Sequence, residues 1–213
     1  MRVLLRMLVS LTLLLPCVGW SASPFVSDNF LRLTAGEQIN APFTLDGGTM
    51  TNETYKGLVE VIVSGTGYSL GFNENDAFYC SRAIDTRCLT PGVVLDDTFY
   101  QLNIGMDGQP FSWGEANNID RYIIFIDNLG PVERGTRPFY DGETHTYRFV
   151  IELPLEGPSK LVFGVSDIMF GDNGGSYDLQ LFQVAAIPEP SSLVLTLLGL
   201  VLMAFLCRTR AST

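Results

Sequence analysis

The stretch SDIMFGDNGGSY, residues 166–177, gathers two carboxylates and a side-chain amide, Asp167, Asp172 and Asn173, next to Gly174 and Gly175. Oxygen donors converging on one loop are what a hard cation such as Ca²⁺ requires. Glycines permit the positive φ of a tight turn and let backbone approach a ligand. The Asp-x-Asp-x-Asp spacing and closing Glu of an EF-hand are both missing, and a β-hairpin turn that uses Asp-Asn-Gly for conformation alone would read the same way. Cys80 and Cys88, in YCSRAIDTRCL, are the body's two cysteines. In an exported chain a disulfide closing this short loop is expected, worth roughly 2–3 kcal/mol less any strain. Two sulfurs without a nearby histidine make half a zinc set. Trp113, in FSWGEANNIDRY, is either an exposed ring for stacking on a sugar or a core cap of the fold. His145, the sole histidine, reads as an edge or surface imidazole with no GxSxG-type elbow to serve.

These residues sit among strands. THTYRFVIEL alternates Tyr147, Phe149, Ile151 and Leu153 with Thr146, Arg148 and Glu152, and KGLVEVIVSG sets Val59, Val61 and Val63 against Glu60. RYIIFID is apolar on both faces, which predicts a central strand. Further strands are expected around Phe30–Leu33, Phe43–Leu45, Phe99–Ile104, Leu161–Val165 and Tyr177–Val184, separated by DGGT, GFNEND, LTPGV, MDGQP and GDNGG. No repeat and no sustained helical period interrupts them. The fold class is all-β: a single β-sandwich of jelly-roll or galactose-binding-like type, between an N-terminal signal peptide and a C-terminal transmembrane helix.

The ends set the address. Arg2 and Arg6 precede an apolar run from Leu8 to Leu15 and small residues at Gly19 and Ser21, the pattern of a signal peptide over residues 1–22. Residues 23–186 are then expected to form the exported domain, with 187–213 as a separate tail. Leu193 to Cys207 is uncharged, and about 22 Å of helix is short for a ~30 Å hydrocarbon core. Arg208 and Arg210 favour a cytoplasmic C-terminus. The body between the ends holds nine Lys or Arg against 22 Asp or Glu, a net of −13. That charge repels nucleic acid and anionic lipid.

The tail resembles the PEP-CTERM sorting signal of Gram-negative bacteria: Pro188-Glu189-Pro190, a hydrophobic helix, then Arg208 and Arg210, with Thr209 interrupting the basic cluster. The resemblance implies recognition by exosortase in the inner membrane, transient anchoring there, and cutting near the triplet. Release to the cell surface or extracellular matrix would follow, in a setting of exopolysaccharide production, biofilm or floc formation. The same tail is known as the C-terminal module of some ice-binding proteins, but Thr49, Thr51 and Thr54 form no Thr-x-Thr ladder, so the body is not read as ice-binding.

A second resemblance covers residues 161–184, which look like the closing hairpin of calcium-dependent galactose-binding lectins. It implies calcium at Asp167, Asp172 and Asn173, with the ion holding sugar hydroxyls. This loop is shorter, Met169 stands about where the family supplies a threonine ligand, and Asp172 replaces an Asn. The expectation is a non-enzymatic surface or matrix protein that binds carbohydrate with Ca²⁺, with exopolysaccharide as a partner. The alternative is an extracellular glycoside hydrolase with two acids in a cleft and Trp113 as a subsite.

Overall fold

The alternation at Val59–Val63 and Tyr147–Leu153 becomes two neighbouring antiparallel strands whose apolar positions register against each other. Val59, Val61 and Val63 face Ile151, Phe149 and Tyr147, and all six are buried. A computed structural model describes residues 25–27, 30–69, 74–82, 90–93, 101–106, 118–153, 157–167 and 169–187. In chain order the strands are β1 (Phe25–Ser27), β2 (Phe30–Arg32), β3 (Glu37–Pro42), β4 (Thr49–Met50), β5 (Leu58–Ser64), β6 (Gly67–Ser69) and β7 (Glu74–Asn75). They continue as β8 (Cys80–Arg82), β9 (Asn103–Met106), β10 (Ile123–Ile126), β11 (Gly130–Pro131), β12 (Thr146–Glu152), β13 (Leu161–Gly164) and β14 (Asn173–Ala186). Two 3-10 turns, Ile119–Tyr122 and Phe170–Asp172, complete the described elements.

Among the described residues the strands form two antiparallel sheets. The larger runs β11-β10-β12-β5-β14-β6-β7-β8, with β3 and β2 also bonded to β14 and β1 to β2; the smaller is β4-β13-β9. β14 organises the large sheet. One of its edges pairs β6 and then β5, the other β3 and then β2. Leu179, Leu181, Val61 and Phe149 of the large sheet share one core with Ile104, Leu161 and Phe163 of the small one. The protein is all-β, a curled antiparallel sheet closed by a second.

The outer face of the large sheet is divided. Toward β2 it carries a second apolar cluster of Phe30, Phe125, Val150, Phe182 and Val184, with Phe30 and Phe125 edge-to-face at 5.0 Å. Toward the opposite end the cross-strand rungs are polar. Asn40, Asp178, Ser64 and Thr146 form one, and Gln38, Gln180, Ile62 and Arg148 the next.

Several expectations are corrected here. Phe43–Leu45 is a turn: Leu45 N–H donates to the Pro42 carbonyl at 3.2 Å and Gly48 N–H to Leu45 at 3.1 Å, while Gly47 and Gly48 take φ near 79° and 73°. The strand lies just upstream, in β3. At Phe99–Ile104 the described part starts its strand only at Asn103. β10 lies between β12 and the two-residue β11, near the edge of the large sheet.

The 1–22 leader and the apolar run at 193–207 lie outside the described residues. Among the described residues no helix is long and apolar enough to cross a membrane.

Candidate functional site

The connection from β13 to β14 carries Asp167, Asp172 and Asn173. It is not a hairpin. β13 belongs to the small sheet and β14 to the large one, so the chain changes sheets between them. The likeness to a lectin's closing hairpin is therefore not confirmed. The glycines answer to packing: Gly175 has φ 88°, and a Cβ there would lie 2.3 Å from the Thr66 carbonyl oxygen and 2.7 Å from Gly67 Cα. Close approach of β6 to β14 requires the absence of a side chain.

Two of the three predicted ligands do meet. Asn173 Nδ2 donates to Asp167 Oδ2 at 2.6 Å and to the Phe43 carbonyl at 3.2 Å. Asp167 Oδ1 accepts from Met169 N–H at 3.3 Å. With its amide nitrogen held by two acceptors, Asn173 turns its Oδ1 away, and that oxygen is buried with no donor in reach. Asp172 Oδ1, on the adjacent residue, is buried in the same condition. Such acceptors are uncommon because each has lost its water without compensation. Among the described residues no three His, Cys, Asp or Glu side chains cluster for a metal. A cation at this loop would thus rely on Asn173 as well as the two carboxylates.

Cys80 is fully buried in β8, and Gly92 N–H donates to its carbonyl at 2.8 Å, so the chain returns to Cys80 beyond the Cys88 position. Cys88, Trp113, Pro188, Glu189, Pro190, Arg208 and Arg210 lie outside the described residues.

A polar hub unforeseen from sequence centres on Asp76, fully buried after β7. Its Oδ1 accepts Phe78 N–H at 2.9 Å and Tyr79 N–H at 2.7 Å; its Oδ2 accepts Tyr147 O–H at 2.6 Å and lies 3.1 Å from His145 Nδ1. The buried Tyr177 hydroxyl donates to the Asp76 carbonyl at 2.8 Å. His145 precedes β12 in the left-handed region at φ 48°, half-buried against Asp76 and not at an open edge. The NDAFY stretch carries a local signal, an Asp bonding backbone two and three residues on. Its partners 69 and 71 positions away carry none.

Burial and then the Asp76 carboxylate push the Tyr147 hydroxyl far above the ordinary value of 10; burial leads likewise for Tyr177, and burial with Glu37 for Tyr55. The sign follows from proton counting. Below about pH 10 these phenols are neutral in both states, and their contribution is fully present. Above it the unfolded chain ionises while the native state holds its protons, so stability falls by about 1.4 kcal/mol per pH unit for each tyrosine. The melting temperature should therefore drop steeply between about pH 10 and pH 11, with the share of tyrosinate absorbance due to Tyr55, Tyr147 and Tyr177 appearing only on unfolding. A melting temperature flat across that window would contradict the assignment.

Two features stand together: an all-β body, and a last described strand that ends at Ala186, where a sorting motif begins. Residues 186–211 match the PEP-CTERM protein-sorting motif. The chain carries that motif, and with it the mark of an exported protein sorted by exosortase and associated with the membrane through its C-terminal part. No curated protein and no solved structure matches the chain.

Proposed function

We propose that the exported body is a non-enzymatic surface or extracellular-matrix protein that binds carbohydrate through a calcium ion at Asp167, Asp172 and Asn173. The observation that carries this reading is the pair of buried, donorless oxygens, Asp172 Oδ1 and Asn173 Oδ1, on the loop that also holds Asp167. Oxygen-only donors suit calcium, and a bound ion would offer remaining coordination positions to sugar hydroxyls. Exopolysaccharide at the surface of a Gram-negative cell is the partner that fits an exosortase-sorted cargo. The lone histidine, committed to Asp76, is not placed to serve a Ser- or Cys-type triad. A Cys80–Cys88 bridge is part of the same proposal, supported by the full burial of Cys80 and the return of the chain to it at Gly92.

Calcium at about a hundredfold above its dissociation constant stabilises the folded state by about 2.7 kcal/mol, or roughly 5–10 °C in melting temperature for a chain this size. That rise should vanish with chelator and in Asn173→Ala. If melting is indifferent to calcium and chelator, the ion is absent and a plain matrix protein remains. Intact mass of the protein from its own host checks the rest. Export and sorting give a species that ends near Pro188, and the bridge makes it two hydrogens heavier after reduction. A species retaining Arg208 and Arg210 would contradict release.

A further inference from the structure

The polar half of the outer sheet face is a groove. Two open hollows of about 450 and 540 Å³ lie over it, and both are lined by Ile62, where they meet. The first rests on Gln38, Asn40, Asp178 and Gln180; the second runs over Thr146 and Arg148 to the loop of Phe139 and Tyr140. Phe139 is 74% exposed, a large apolar ring at the rim of the second hollow.

We propose that this groove binds a stretch of neutral polysaccharide. Asn40 is held by Ser176 and Asp178, but the exposed Gln38 and Gln180 amides can both donate and accept, as sugar hydroxyls do. Ile62 and Phe139 offer apolar surface at the centre and rim, where a pyranose ring can lay its C–H face. Charge decides against an anionic chain. Asp178, Asp127 and Asp141 border the groove, and Thr144 (hydroxyl first, then backbone) with Glu143 N–H holds the Asp141 carboxyl below the usual range. The one groove arginine, Arg148, is engaged by Glu60 at 2.6 Å and lies 3.9 Å from Asp127. A peptide strand would add at a sheet edge by backbone pairing. Here the strand backbones bond one another, and only side chains face the groove.

Position agrees with this use. The sorting motif begins at Ala186, and at about 3.3 Å per residue β14 carries the Asp178 rung roughly 26 Å away from that point. The groove shares no residue with the Asp167 loop and needs no metal ion.

The test uses the full chain in lauryldimethylamine oxide, a detergent without a sugar headgroup, titrated calorimetrically with cellohexaose, laminarihexaose, mannohexaose and an oligogalacturonate. At least one neutral hexasaccharide should bind, and the oligogalacturonate should not. Phe139→Ala and Gln180→Ala, both at exposed positions, should weaken binding by about tenfold or more while melting as the parent does. Chelator should leave this affinity unchanged. The proposal is overturned if no neutral probe binds, if either groove variant binds as the parent does, or if the anionic probe binds best. It is equally overturned if binding is lost with chelator, which would assign the sugar to the calcium loop instead.

Discussion

Asp76→Ala should lower the melting temperature by roughly 10–15 °C, the equivalent of about 3–5 kcal/mol in a chain of this length. Truncation strips four donors of one acceptor group at once: the N–H groups of Phe78 and Tyr79, the Tyr147 hydroxyl and His145. Asp76 and Phe78 are fully buried and Tyr147 is 3% exposed, so water cannot easily replace what is lost. Each stranded donor costs on the order of 1–3 kcal/mol before relaxation. Tyr147→Phe removes one of these bonds without stranding the carboxylate, which keeps its other donors, and should cost only about 1–2 kcal/mol. The two variants together separate a network from a single bond. If Asp76→Ala melts within a few degrees of the parent, the hub braces nothing. Its reach extends to the groove, because Tyr79 also donates its hydroxyl to the Pro138 carbonyl, directly before Phe139. Loosening Asp76 should therefore blur the groove rim even at temperatures where the body stays folded.

The strands that were legible are those whose two faces differ. β5, β12 and the inner part of β14 alternate because one face meets the common core, although Glu60 and Val150 are buried on the other face as well. β3 was not legible. EQINAP holds little β-forming material and ends in proline, and it is a strand because six of its positions pair with β14. The same long-range pairing defeated the hairpin reading at residues 161–184. Periodicity identifies two strands there but not that they belong to opposing sheets. Of the candidate site, Asp167 and Asn173 lie six residues apart and their contact was visible as local spacing. Asp76 meets Tyr147 across 71 positions, and nothing local in either segment announces the other.

Glu60 carries the second large effect, and its position explains why. Alternation places it on the outer face of β5, where a solvated carboxylate would be ordinary, yet it is fully buried. The cause is β2, which docks on the end of β14 and brings Phe30 and Arg32 over that face. Glu60 holds both outer arginines: Arg32 through Nε, with Nη2 at 2.8 Å, and Arg148 through Nε at 2.6 Å. Arg32 is also stacked 3.7 Å from the centroid of Phe182. Glu60→Ala should cost about 3–5 kcal/mol, because it leaves two guanidinium groups on a covered face without their counter-charge. Glu60→Gln keeps an acceptor of the same shape and should fall between the two in a urea melt. Replacing Arg32 and Glu60 together by Met and Leu should recover a good part of the loss, since a buried ion pair exchanged for packed apolar groups is often neutral. A single Glu60→Ala that unfolds at the parent's urea midpoint would mean that β2 is held by Phe30 and Val184 alone. Because β2 pairs Phe30 with Ala186, where the sorting motif begins, this latch also joins the start of the described body to its last strand. Its loss should therefore appear first as faster hydrogen exchange at Val184–Ala186, ahead of any change in β5 or β12.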